Sequence, residues 1–143
     1  MIGKCLCGSV EFEINKDHIK LYQCHCQLCR KQSGTYSNAA TIVPTSLFKL
    51  VKGQSQIRSW VKQTGFRSDF CQQCGSPVPN PLRDTPYYWV PAGLIEDIGD
   101  AEVISHLFVG SKASWDKPNP DADTHFAFPE HGLQAHIEQL NNE

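Results

Sequence analysis

Three of the chain's seven cysteines fall within the run Cys24-His25-Cys26-Gln27-Leu28-Cys29, and the other four form two short pairs, Cys5/Cys7 and Cys71/Cys74. A Cys-x-Cys overlapping a Cys-x-x-Cys holds three thiolates on one tight turn, at a spacing that lets them converge on a single soft cation. Each outer pair is followed by a glycine, Gly8 or Gly75, which can take a positive φ and bring backbone N–H groups close to the sulfurs. Seven then divides as four plus three. Structural zinc sites are closed by four protein ligands, whereas catalytic sites keep three and leave a position open. Cys24, Cys26 and Cys29 are the candidate open site, and Cys5, Cys7, Cys71 and Cys74 the candidate closed one. Pairing Cys24/Cys26 with Cys71/Cys74 is a second partition, but the local grouping needs the least loop closure for the trio.

Disulfides and redox thiols are the competing uses of these residues. The cysteine count is odd, Met1-Ile2-Gly3-Lys4 opens no apolar leader, and cysteines two residues apart suit a low-strain bridge poorly. A thioredoxin-like pair belongs in the strand-to-helix step of a βαβ unit. Cys71/Cys74 runs instead into Gly75-Ser76-Pro77-Val78-Pro79, which cannot propagate a helix.

The elements that carry the cysteines are short. Val10, Phe12 and Ile14 alternate with polar residues as in a half-buried strand, and Ile19–Gln23 delivers the chain into the trio. After Cys29, the run 30–34 allows one helical turn before Gly34 ends it. Further strands are expected at 38–43 and 49–53, with a turn between them capped by Thr45 or Ser46. Ile57–Val61 and Gly65–Phe70 read as a hairpin leading into Cys71. Tyr87–Val90 and a last strand at 103–109 follow, then an irregular stretch from 111 to 129. Leu133, Ile137 and Leu140 lie on one helical face, so a short C-terminal helix is expected, docked on the domain or meeting another subunit. The whole reads as one all-β domain of short antiparallel strands with little helix.

The 143 residues include ten glycines and nine prolines, and the formal charge is −2. The basic residues are scattered rather than striped, which argues against a nucleic-acid surface, and no apolar run approaches a membrane span. Reduced cysteines without a leader or span suggest the cytoplasm. A thin core is expected, so that metal binding worth roughly 10–16 kcal/mol would rival the entire folding free energy of about 5–15 kcal/mol.

Gly3–Phe12 around Cys5 and Cys7, Cys24–Gly34, Phe70–Ser76 and His106–Trp115, in that order, resemble the glutathione-dependent formaldehyde-activating enzyme family, which includes the centromere-protein-V type. The resemblance spans about residues 3–115; the tail 116–143 carries no motif of that family. It implies a mostly β, tent-like fold with two zinc ions. Cys5, Cys7, Cys71 and Cys74 would hold a structural zinc, and Cys24, Cys26 and Cys29 an active-site zinc. It also implies carbon-sulfur lyase chemistry, with glutathione and formaldehyde as the founding substrates.

From the residues, three thiolates leave zinc only a modest Lewis acid, better suited to delivering a thiolate to an aldehyde, or to the reverse cleavage, than to ionising water. Arg30 or Lys31 could keep thiolates ionised or meet a substrate carboxylate. His25 is expected to point away from the metal. His106 is a candidate core histidine that could instead close the trio's fourth position. Tyr36, Asn38, Trp60 and Trp115 are candidate pocket residues, and Lys112 a candidate anion anchor. The alternative to an enzyme is a binding module in which both zinc ions are structural.

Overall fold

The structure, a computed structural model, describes residues 1–142. Eleven strands and two helices follow one another as β1 Ile2–Lys4, β2 Glu11–Ile14, β3 Lys20–Cys24, α1 Gln27–Ser33, β4 Asn38–Pro44, β5 Phe48–Lys52, β6 Ile57–Val61, β7 Arg67–Cys71, β8 Asn80–Pro81, β9 Tyr87–Pro91, β10 Glu102–Leu107, β11 Asp123–Thr124 and α2 Leu133–Asn141. They form a three-stranded sheet, β1-β2-β5, a six-stranded sheet in the order β11-β10-β3-β4-β9-β8, and the β6-β7 hairpin. The protein is mostly strand, as its alternating patterns predict.

The central strands are apolar on both faces because both are covered. Along β3, β4 and β9, Tyr22, Ala40, Ile42 and Trp89 turn to one side, where Ile137 and Leu140 of α2 pack. Leu21, Val43 and Val90 turn to the other, against Phe12 and Ile14 of the small sheet. A third and smaller cluster, Cys5, Val10, Cys71 and Val78, lies where the small sheet meets the hairpin. The C-terminal helix therefore docks on its own domain, and Asn141 secures it by donating to the Ile42 carbonyl at 2.8 Å.

Several details depart from the sequence expectations. The strands pair antiparallel except β10, which runs parallel to both β3 and β11. Some 80 residues separate β3 from β10, so no tight turn dictates their direction. The helical turn after the trio begins earlier, at Gln27, because Cys26 caps it, and Gly34 ends it in the left-handed region at φ 71°. Neither Thr45 nor Ser46 caps the turn that follows β4; both lie inside it, behind Pro44. β10 is not the last strand, since the two-residue β11 adds to its edge.

Gly53 stands at φ +96°, and a Cβ there would lie 2.2 Å from the Ser9 carbonyl, at the exit of the first cysteine loop. Gly53→Ala is accordingly expected to destabilise the fold by roughly 1–3 kcal/mol, read as a lower urea midpoint with unchanged slope.

Candidate metal centres and the cleft beside them

The four-cysteine cluster ties two sheets together. Cys5 and Cys7 follow β1, and Cys71 and Cys74 close β7, with Gly8 and Gly75 at φ +80° and +79° as the loops require. Sγ of Cys7 lies 3.7 Å from that of Cys5 and 3.8 Å from that of Cys71. Tetrahedral zinc with Zn–S near 2.3 Å sets sulfurs roughly 3.8 Å apart, so these donors fit the ion. Backbone and hydroxyl groups support the sulfurs. The Val10 N–H donates to Cys5 Sγ at 3.3 Å, and the Ser9 and Ser76 hydroxyls lie 3.0 and 3.4 Å from Cys7 and Cys74.

The trio is built at a strand-to-helix junction. Cys24 ends β3, Cys26 is the N-cap of α1 with its sulfur accepting from the Cys29 N–H at 3.3 Å, and Cys29 sits in the first turn. The three sulfurs and the other four form two groups, each with its ligand atoms within 4.8 Å of one another. Although this is the junction where a redox pair would sit, β3 and β4 are antiparallel and form no βαβ unit. Hydrogen bonds from the Cys24 and Cys29 thiols push Cys26 down to about 2, helped by backbone N–H groups. The reciprocal contact with Cys26 pushes Cys24 up to about 12, and its two neighbours drive Cys29 well above the thiol range. One thiolate is thus favoured at the expense of two. Three together call for a cation among them, and both clusters could hold zinc.

His25 lies between two trio cysteines, yet its ring turns away from them and is fully buried. Its Nε2 is 2.8 Å from Nδ1 of His106, and its Nδ1 is 2.6 Å from a carboxylate oxygen of Asp116. The Asn119 N–H donates to Nε2 of His106 at 3.2 Å. That bond fixes the tautomers: His106 carries its proton on Nδ1 and donates to His25, whose own proton then faces Asp116. His106 is therefore engaged on both nitrogens, and it joins no metal group among the described residues.

Beside the trio lies a cleft of about 300 Å³. Cys24 and Cys29 open onto it, together with Asn38, while Arg30 does not line it and instead donates to the Ser111 carbonyl at 3.1 Å. Tyr36 and Trp115 meet edge to face outside the cleft, and Trp60 is exposed on the hairpin. Lys112 reaches the Asp116 carbonyl at 3.5 Å. Residues 57–71 and 123–140 supply walls that the sequence did not reveal. Chief among them is His136 of α2, only 2 % exposed and without a hydrogen-bond partner on either ring nitrogen. Its signal was present, since position 136 falls in the same stripe as Leu133, Ile137 and Leu140.

The sequence model described as glutathione-dependent formaldehyde-activating enzyme matches residues 1–111. The chain belongs to this family. A crystal structure of a Rhodobacter sphaeroides protein is similar to it at a TM-score of 0.57 and 25% identity, over 72% of this chain and 99% of that one. Both cysteine groups and the cleft wall that carries Cys24 and Cys29 lie inside the family match; the strap after 111 and helix α2 lie outside it. Among the described residues, no helix is long and apolar enough to cross a membrane.

Burial, and secondarily His125, hold His136 down at about 4. The unfolded chain, with an ordinary histidine value near 6.5, binds more protons between the two values. Stability contributed by the neutral ring is therefore complete above about pH 6.5 and falls as pH drops towards 4, by up to roughly 3 kcal/mol. His136→Phe is expected to flatten this part of the stability-against-pH curve, measured by urea unfolding at pH 7.0 and 4.5.

Proposed function

We propose that the protein is a zinc-dependent carbon-sulfur lyase that joins a thiol to an aldehyde and reverses the reaction, with glutathione and formaldehyde as the leading pair. The observation that carries this is the asymmetry of the two cysteine groups. Four cysteines form a set that needs no further ligand, whereas three, two of them opening onto a cleft, leave room for a substrate.

Cys5, Cys7, Cys71 and Cys74 would hold the structural ion and Cys24, Cys26 and Cys29 the active-site ion. When bound, zinc supplies a Lewis-acidic position that favours the thiolate form of a substrate thiol. The remaining work falls to the chain. α1 and β3 fix the three sulfurs at the base of the cleft, and the His25–His106 pair prevents the loop between them from rotating. The apolar walls exclude bulk water from the reacting carbon. The sulfur attacks that carbon, the C–S bond forms, the carbonyl pair moves onto oxygen, and the proton given up by the thiol ends on that oxygen. The reaction involves no redox change. Arg30, next to Cys29 and bonded to the Ser111 carbonyl, is assigned a supporting charge near the thiolates.

Cys29→Ser is expected to reduce exchange between glutathione and its hydroxymethyl adduct, followed by NMR, to the uncatalysed rate while the chain stays folded. Cys71→Ser should fail to fold, because ion binding worth roughly 10–16 kcal/mol rivals the whole folding free energy of about 5–15 kcal/mol. Gently purified protein should contain two zinc ions per chain, one of them removed by a mild chelator without unfolding. If both resist the chelator, or the domain unfolds when either leaves, a binding module with two structural ions takes precedence over the enzyme.

A further inference from the structure

The cleft beside Cys24 and Cys29 is too large and too apolar to have been shaped by a one-carbon aldehyde. A 150 Å³ apolar cavity already accepts benzene, and this cleft is about twice that size. Phe66, Leu82, Trp89, Phe108, Phe128 and Leu133 form most of its wall. Of the charged residues that face it, Arg67 is held by both carboxylate oxygens of Asp69, at 2.8 and 3.0 Å. Arg83 is left to meet an anionic group at the rim.

Few polar atoms inside are unpaired, and they differ in kind. Oδ1 of Asn38 and Oδ1 of Asn80 have no partner, while the amide nitrogens of both already donate, to Gln32 and to the Pro81 carbonyl. Those oxygens can only accept. An aldehyde oxygen needs a donor, and among these unpaired groups His136 alone offers one, since a neutral imidazole carries one N–H and one lone pair. The same ring can then accept from the hydroxyl that the aldehyde becomes. The two non-glycine residues at positive φ among those described, Arg83 at 49° and Phe108 at 57°, also both line this cleft. Such strain collects where a surface is shaped for a ligand.

Resting on the thiol addition proposed above, we infer that the carbonyl substrate is an aldehyde with an apolar chain or aromatic ring, which fills the wall between β9, the β6–β7 turn and α2 while His136 hydrogen-bonds its oxygen. The thiol adds to the carbonyl carbon, the C–S bond forms as the C=O π pair becomes an oxygen lone pair, and the proton lost by sulfur is the one that oxygen gains. His136 holds the oxygen at both stages. The product is the hemithioacetal of that aldehyde.

The test measures, by exchange NMR on the zinc-loaded full chain, the acceleration of glutathione addition to formaldehyde, propanal, hexanal and phenylacetaldehyde, each corrected for hydration. Acceleration over the uncatalysed addition should rise about threefold to fourfold for each methylene buried, so that hexanal and phenylacetaldehyde exceed formaldehyde at least tenfold. His136→Phe should lower kcat for hexanal by tenfold or more with little change in KM, and His136→Gln, which keeps a donor and an acceptor, should recover part of it. Equal or greater activity towards formaldehyde overturns the inference and leaves the lyase assignment standing. Absence of turnover with every aldehyde overturns the lyase assignment instead. The cleft is then judged by benzyl alcohol titrated into the metal-loaded protein: shifts confined to Leu82, Leu133 and His136 uphold an apolar occupant, and their absence removes it.

Discussion

The contact between His25 and His106 holds three distant parts of this chain in one arrangement. It joins the loop between two cysteines to a strand some 80 residues later, and it reaches the tail through Asp116 and Asn119. Both rings are buried, so each nitrogen left without a partner would cost about 1–3 kcal/mol. Both nitrogens of His106 and Nε2 of His25 have hydrogen-bond partners, and Nδ1 of His25 is left in close contact with the Asp116 carboxylate at 2.6 Å. Because His25 must face inward to join this chain of bonds, the backbone on either side is fixed and Cys24 and Cys26 project the other way. The parallel pairing of β3 with β10 places His106 opposite Gln23, and the His25 N–H on the Leu107 carbonyl completes the alignment. A slip by one residue would turn His106 out of reach.

Around that fixed point the hydrophobic core is divided rather than concentrated. One side of the central sheet packs on the small sheet, the other on α2, and the four-cysteine group joins a small cluster around Val10 and Val78, with Leu50, Ile57 and Leu94 against it. A hairpin with one strand almost wholly exposed has little apolar area of its own to bury. It is held by its sulfurs and by the Val78 N–H on the Asp69 carbonyl at 2.9 Å. This is where a bound ion would add to stability, because its ligands would come from both the small sheet and the hairpin.

Much of the framework could be read from the sequence. A period-two pattern marked β2, short apolar runs marked β3 and β9, the spacing of the seven cysteines pointed to both groups, and the stripe at Leu133, Ile137 and Leu140 to α2. Pattern alone could not show that Cys26 caps a helix, because a cysteine is an uncommon cap and the ring of His25 had to be placed first. Nor could it show that β10 would pair parallel to β3, since long-range pairing leaves no local mark. The partners of His106 were hidden for a similar reason: Asp116 and Asn119 sit in a stretch without periodicity, and only the path of the strap brings them in. His136 was visible as a polar residue in an apolar stripe, but its meaning depended on what the helix faced.

The cysteines and the cleft wall answer to different parts of the chain. All seven sulfurs lie within the first 74 residues, while Phe128, Leu133 and His136 come from beyond the family match, which ends at 111. The cysteine groups and part of the cleft wall are therefore encoded separately. Evolution could graft a different tail onto the same cysteine-bearing body and reshape the cleft wall without touching a cysteine, much as one tool handle takes interchangeable heads.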